Sequence, residues 1–345
     1  ITHRPDLWGH YGFARELGAI YRLPIKPLVI KPENFEGEGE GLIDVDVLCK
    51  DLVPRFTGLS IANVSVTDSP SFIQHRLTRV GLRPINNLVD LTNYVMLEYG
   101  QPMHAFDAEE IPGNKLVVQI AEEGTRIMTL YNKAVTLGQN DMTICDANGA
   151  SVVAGVIGGL NSGVHDKTTS IFLEAANWDP VAIRKTSTRI GLRTDASQRF
   201  EKALDPEISM LAVQKAVKLL KLTAPDMKIC GQAIDIRGKE IKPIFIKTSF
   251  KFISKRLGKQ LDEDEIKSIL THLEFIIKDE DGDLYIEVPT HRRTKDVSIP
   301  EDIVEEIGRI HGFNNITPKA PLFPIKTPAF NLEHQFRAVA RKVLI

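Results

Sequence analysis

Residues 83–107 read RPINNLVDLTNYVMLEYGQPMHAFD, and the fold is read outward from them. Arg83 precedes a proline, which biases it away from helix. Asn86 and Asn87 are cap-type residues ahead of an apolar run. Leu88, Leu91, Thr92, Val95 and Met96 recur at helical spacing, so one face of a helix points to a core. Gly100 ends that helix and Pro102 prevents its restart. His104 is then expected on the loop just past the helix end, and the helix is expected to deliver Asn93, Tyr94 and His104 to one region of space. Read alone, the stretch is first a buried helix with a satisfied histidine beside it.

The chain has 345 residues, which suggests two or three domains. At 43% hydrophobic and 26% charged it has ordinary globular composition and enough apolar mass for real cores. A net charge of -2 gives no global basic field, so any contact with nucleic acid must come from a local patch. Cys49, Cys145 and Cys230 are far apart and odd in number, without metal-ligand spacing. That argues against a zinc site or a disulfide framework and fits a reducing compartment. No apolar run approaches a membrane span and no signal peptide is visible. The chain lacks an initiator methionine and closes inside an amphipathic run, so a piece of a longer polypeptide is expected.

Residues 1–28 predict one amphipathic helix, with Phe13, Leu17, Ile20 and Tyr21 as the face that docks and Pro24 as its end. Residues 29–42 are acidic and glycine-rich, which is linker chemistry with little prospect of burial. Residues 43–235 alternate strand-like and helical patterns. Asp146-Ala147-Asn148-Gly149 marks a turn between apolar segments. Residues 240–320 form a separate small unit with a strand, an acidic-ended helix, a hairpin and a last helix from Pro300. Residues 321–345 read as the start of a truncated following domain.

Four constellations could carry chemistry. Residues 154–159 place three glycines at a strand end, for close approach of a ligand or simply for a bulge; no phosphate-loop lysine follows. Glu174 sits in the apolar strand-like run SIFLEAA, so it must find a donor, as salt-bridged structural glutamates do, or shift its pKa upward. Arg184, Lys185, Arg189, Arg193, Arg199 and Lys202 are the densest positive cluster, either a solvated face or a surface that positions a nucleic-acid backbone. Asp302, Glu305 and Glu306 share the outward face of the last helix, with Asp296 just ahead. The quartet is either an acidic surface or a set of hard oxygen ligands suited to Mg²⁺.

Together the motifs resemble a known family, the bacterial phenylalanyl-tRNA synthetase beta subunit. The resemblance rests on residues 83–107, on VIGGLNSGVHDKTTSIFLEAANWDP at 156–180 and on GLRTDASQRFEKALDP at 191–206, in that order. HRPDLWGHYGFAREL is similar to the segment before the family's editing domain, and EDIVEEIGRIHGFNNI to the end of its B5 domain. The resemblance implies an α+β fold: a mixed α/β editing domain of B3/B4 type at 43–235, then a small helix-hairpin B5-type domain at 240–320. It implies an (αβ)₂ tetramer in the cytoplasm whose alpha subunit joins phenylalanine to tRNA(Phe) with ATP and Mg²⁺, ATP not being expected to bind this stretch. The beta subunit would hydrolyse tyrosine wrongly attached to that tRNA. Its pocket would comprise Arg83, Thr92, Asn93, His104, Gly155, Gly158, Glu174, Thr194 and Ala196, with His104 and Arg83 placing the ester, the terminal ribose or the attacking water, general base catalysis by His104 as the alternative, and Glu174 selecting the tyrosine hydroxyl. Asp296, Asp302, Glu305 and Glu306 would hold Mg²⁺ shared with the alpha subunit. Two departures stand out. His3-Arg4-Pro5-Asp6 replaces the family's Asn-Arg-x-Asp, and residues 289–296 carry two extra residues before Asp296. The competing expectations are a scaffold that binds tRNA and the alpha subunit without editing, and a DNA-binding regulator, which the acidic last helix argues against. No membrane partner and no specific DNA are expected.

Overall fold

The computed structural model describes residues 3–28, 35–38, 41–238, 241–320, 322–326 and 329–345. The helix expected from the opening stretch is Asn87–Tyr99. The Asn86 side chain accepts hydrogen bonds from the backbone N–H of Leu88 and Val89, so two otherwise unpaired donors are satisfied. Gly100 closes the helix at φ 81°, a left-handed conformation that glycine adopts without penalty. Replacing Asn86 with alanine is therefore expected to lower stability by about 1 kcal/mol, measured by urea denaturation.

His104 is not on a loop. It opens the strand His104–Asp107, which pairs antiparallel with Ser170–Asn177 and sets His104 opposite Glu174. Pro102 keeps the helix from restarting, and the four residues His104–Asp107 alternate sides as an edge strand does. The sheet has five antiparallel strands in the order Glu36–Glu38, Lys228–Arg237, Arg55–Ala62, Ser170–Asn177 and His104–Asp107. Its two faces build different cores. Leu59, Ile61, Leu173 and Ala175 meet Leu88, Leu91, Tyr94 and Val95 of the opening helix. Phe56, Phe106, Phe172 and Ala176 point the other way. Because strand residues alternate faces, Glu174 and His104 side with Phe172 and Phe106, away from that helix. The expectation that Asn93, Tyr94 and His104 converge is thus corrected: the sheet lies between the helix and the histidine's face. Tyr94 instead accepts a hydrogen bond from Arg76.

The second face packs on another five-stranded sheet, ordered Ile157–Gly158, Gly149–Val153, Met142–Asp146, Lys115–Ile120 and Asp44–Val47. Its last pair is parallel and its others antiparallel. Val45, Leu116, Val118, Ile144 and Val153 from this sheet share one core with Phe56, Phe106 and Phe172. Part of the expected linker is ordered: Phe35 is buried in the helix-side core and Glu36–Glu38 form an edge strand. Backbone pairing makes acidic, glycine-rich sequence a strand where a neighbour offers free N–H and C=O groups. Residues 29–34 and 39–40 of that linker lie outside the described residues.

The first helix, His10–Tyr21, docks by the face opposite to the one expected. Gly12, Arg15, Gly18 and Ala19 are buried, while Leu17 is 50% and Tyr21 67% exposed. Close backbone approach decides this, since a side chain at Gly12 would overlap the Asp6 carbonyl. Ala19 reaches the core of the small unit. That unit has three antiparallel strands, Phe245–Ser249, Asp283–Glu287 and Ile276–Glu280, covered by helices Phe250–Leu257, Glu263–His272 and Pro300–His311. Ile253, Ile266, Leu284, Ile286, Ile303 and Ile307 fill its core. Residues Ile1–His311 make one compact unit, and Gly312–Ile345 another. In the latter, Asn331 caps the helix Leu332–Leu344, whose Leu332, Phe336, Val339 and Val343 are exposed.

Candidate functional site

The pairing of His104–Asp107 with Ser170–Asn177 sets two titratable side chains, His104 and Glu174, side by side on one strand pair. Glu174 is only 7% exposed, and among the described residues no ion pair or side-chain hydrogen bond reaches its carboxyl. Burial pushes that carboxyl up to about 8, against the opposing pull of the Ala176 backbone amide. Of the two outcomes left open by the sequence, the upward shift is the one realised. At neutral pH Glu174 is mostly a carboxylic acid, able to donate one hydrogen bond and accept others. Burial drives His104 the other way, down to about 4, so its imidazole is neutral at pH 7. The His104 ring stands edge-on to Phe106 at 4.4 Å, and its Nε2 lies 3.3 Å from both the carbonyl and the hydroxyl oxygen of Ser162.

The two side chains line a cavity of about 80 Å³ with Gly155, Gly158, Ala196, Trp178 and Phe200. Gly155 has φ 66°, and a Cβ there would stand 2.6 Å from Trp178 Cδ1, so the corner and the wall behind it both require glycine. A Cβ at Gly158 would stand 2.9 Å from His104 Cε1. Gly158 therefore leaves room for the imidazole. Thr194 is not itself a lining residue. Its hydroxyl donates to the Val156 carbonyl at 2.6 Å and accepts from the Ser197 amide at 3.1 Å, capping the short helix Asp195–Phe200. It thus ties the helix that carries Ala196 to the glycine corner.

Arg83, Thr92 and Asn93 are not brought into this cavity. Arg83 is exposed ahead of the opening helix, Asn93 is half-buried on it, and the Thr92 hydroxyl donates to the Val89 carbonyl of the same helix at 2.7 Å. Conversely, Trp178, Phe200 and Ser162 escaped the sequence reading. Ser162 could have been noticed as a hydroxyl three residues after Gly159; the two aromatic walls carried no local signal.

Two family models match the chain: the B3/4 domain over residues 52–225 and the tRNA synthetase B5 domain over residues 246–313. The chain belongs to the phenylalanine–tRNA ligase beta subunit family. The beta subunit of Solibacter usitatus is 41% identical over all of this chain and 45% of its own length. That of Porphyromonas gingivalis is 42% identical over 91% of this chain and 38% of its own length. The chain thus spans less than half the length of these curated relatives. A solved N-terminal fragment of the Pyrococcus horikoshii phenylalanyl-tRNA synthetase beta subunit covers 89% of this chain and 83% of that one, at 18% identity and a TM-score of 0.43. That likeness is too slight to carry an argument.

The four carboxylates that the family resemblance linked to Mg²⁺ do not converge. Glu306 points inward, 4% exposed, and accepts from both terminal nitrogens of Arg292 at 2.7 Å and from Arg309 Nε at 3.0 Å. Asp296 also pairs with Arg292. Asp302 accepts from the backbone amides of Ser298 at 2.7 Å and Ile299 at 3.0 Å, and Glu305 is exposed. Among the described residues no three His, Cys, Asp or Glu side chains are grouped to hold a metal ion. The expectation that Asp302, Glu305 and Glu306 share one outward face is corrected, because burying Arg292 turns Glu306 inward to meet it. In this arrangement the donor set does not fit a Mg²⁺ ion. The basic cluster is similarly divided. Arg184 and Lys185 are exposed, while Arg189, Arg193 and Lys202 pair with Asp141, Glu201 and Glu201, and Arg199 is buried and pairs with the exposed Asp195. Among the described residues no helix is long and apolar enough to cross a membrane.

Proposed function

We propose that this chain carries an editing site that hydrolyses tyrosine wrongly esterified to tRNA(Phe), as part of a phenylalanine–tRNA ligase beta subunit working with an alpha subunit in the cytoplasm. The observation that carries the reading is a buried, uncharged Glu174 with no side-chain partner among the described residues, facing an apolar-walled cavity beside a neutral His104. Phenylalanine and tyrosine differ by one hydroxyl. An apolar synthetic pocket rejects an added hydroxyl only by about a hundredfold, so a second site must do the rest. Glu174 fits that need. Its carboxyl exchanges hydrogen bonds with a phenol, whereas phenylalanine leaves it desolvated and unpaired. Trp178 and Phe200 supply walls for the ring, and the glycine corner supplies its space.

The reaction the residues support is attack by water on the aminoacyl ester. His104 and Ser162 stand close, but they do not make an activated nucleophile. The Ser162 hydroxyl donates to the Gly159 carbonyl at 2.9 Å, and among the described residues no carboxylate orients the imidazole. His104 is thus assigned to orienting the water or the ester. No step is assigned to Mg²⁺, since Asp296 and Glu306 are held by arginines.

Ala196 sets the size of the cavity, so Ala196→Trp is expected to fill it. Release of tyrosine from tyrosyl-tRNA(Phe), followed with labelled amino acid, should fall at least about a hundredfold in the variant. Equal rates in the two proteins would overturn the pocket. A non-editing scaffold predicts instead that the unaltered chain binds the tRNA and leaves the ester intact.

A further inference from the structure

The loop that begins at the glycine corner and runs to Gly163 does more than close the cavity. It is tied down on several sides. Leu130 N donates to the Gly158 carbonyl at 3.0 Å, Gly159 N to Ser151 at 2.9 Å and Leu160 N to Met128 at 2.8 Å. On this fixed loop Ser162 is 5% exposed and faces the imidazole with two oxygens. Both lie 3.3 Å from His104 Nε2. The carbonyl can only accept. The hydroxyl donates its hydrogen bond to the Gly159 carbonyl at 2.9 Å, so it too presents lone pairs to the ring. A nitrogen facing two acceptors must carry a hydrogen, since two opposed lone pairs repel. Burial keeps the ring neutral and therefore limits it to one proton.

We propose that Ser162 is a positioning residue that locks His104 as the Nε2–H tautomer, so that Nδ1 is its acceptor nitrogen. The consequence rests on the editing reading. A ring whose one free lone pair is on Nδ1 holds a donor, and the donor the reaction requires is the attacking water. The same tautomer excludes His104 Nε2 as a hydrogen-bond donor to the ester oxyanion, because that hydrogen is already shared by the two Ser162 oxygens. Gly158 contributes by leaving the His104 Cε1 side open. Phe106 holds the ring edge-on from within the core.

Nitrogen-15 spectra of the full chain labelled at histidine test the tautomer without reference to hydrolysis. His104, assigned by loss of its signals in His104→Gln, is expected to show a protonated-type Nε2 and an unprotonated-type Nδ1 at pH 7. A protonated Nδ1 would overturn the proposal. Ser162→Ala removes the hydroxyl acceptor and leaves the carbonyl. It is expected to shift the His104 spectrum toward a mixture of tautomers. It should also lower kcat for tyrosyl-tRNA(Phe) about tenfold at unchanged KM, and Ser162→Thr should restore both. An unchanged spectrum in Ser162→Ala would also overturn it. A chain that shows the Nε2–H tautomer but hydrolyses no ester would retain the role of Ser162 and count against the editing reading alone.

Discussion

Replacing Glu174 with leucine is expected to erase the preference for the tyrosyl over the phenylalanyl ester. A site that hydrogen-bonds a substrate hydroxyl can reject the analogue lacking it by about 10⁴-fold, because the buried polar group is otherwise left unpaired. Leucine has no such group, so phenylalanyl-tRNA(Phe) should become as good a substrate as tyrosyl-tRNA(Phe). Single-turnover hydrolysis of the two esters measures the ratio directly, and a ratio unchanged from that of the unaltered chain would remove Glu174 from the selection. Glu174→Gln separates shape from titration. The Glu174 carboxyl is raised from its ordinary value near 4.5 to about 8. A raised acid contributes stability that is full below the lower value and is lost as pH rises through the upper one. The glutamine variant cannot titrate, so it should gain stability relative to the parent between about pH 5 and 9, by a few kcal/mol. Thermal melts of both proteins across that range check the sign, which a salt-bridged glutamate would reverse.

Replacing Arg292 with alanine is expected to be the most destabilising single change in the small unit. Arg292 is 2% exposed and bridges Asp296 and Glu306. Those bridges belong to a larger network. Arg309 joins Glu306 to Glu16, and Arg4 joins Glu16 to Asp6 and approaches Asp296 at 3.8 Å. The network thereby fastens the N-terminal segment onto the last helix of the small unit. Removing that guanidinium strips two buried carboxylates of their main partner, leaving Glu306 to Arg309 and Asp296 to the longer contact with Arg4, a change that costs about 3–5 kcal/mol. Arg292→Lys should recover little, because an ammonium cannot reproduce the two parallel bonds to Glu306. The melting temperature is the readout. A drop of less than about 2 °C would show the network to be loosely coupled to folding.

The network also bears on how far the metal expectation was legible. The spacing of Asp302, Glu305 and Glu306 on a helix is a property of sequence, but the partner of Glu306 comes from a different element. Helical periodicity assigned Glu306 to the outside, since charged residues are usually solvated. A buried arginine 14 residues earlier reversed that, and no local pattern announces such a pairing. The N-terminal helix shows the converse case. Its large apolar residues marked one face for burial, yet the docked face is the one with Gly12 and Gly18, where the backbone can approach closely.

What the sequence by itself determined is local or cumulative. Asn86 and Gly100 set the ends of the opening helix, since a cap and a left-handed terminus depend on one residue each. A short apolar run identified the strand that carries Glu174, and three ordered motifs identified the family. What only the tertiary structure decided is which residues share a face and what charge they carry. Strand pairing put His104 opposite Glu174 and left Thr92 and Asn93 on a helix across the sheet. Burial in the shared core then made both titratable groups neutral, because removing water penalises the charged form of each. Neither register nor desolvation is local to residues 83–107, although His104 stands within them.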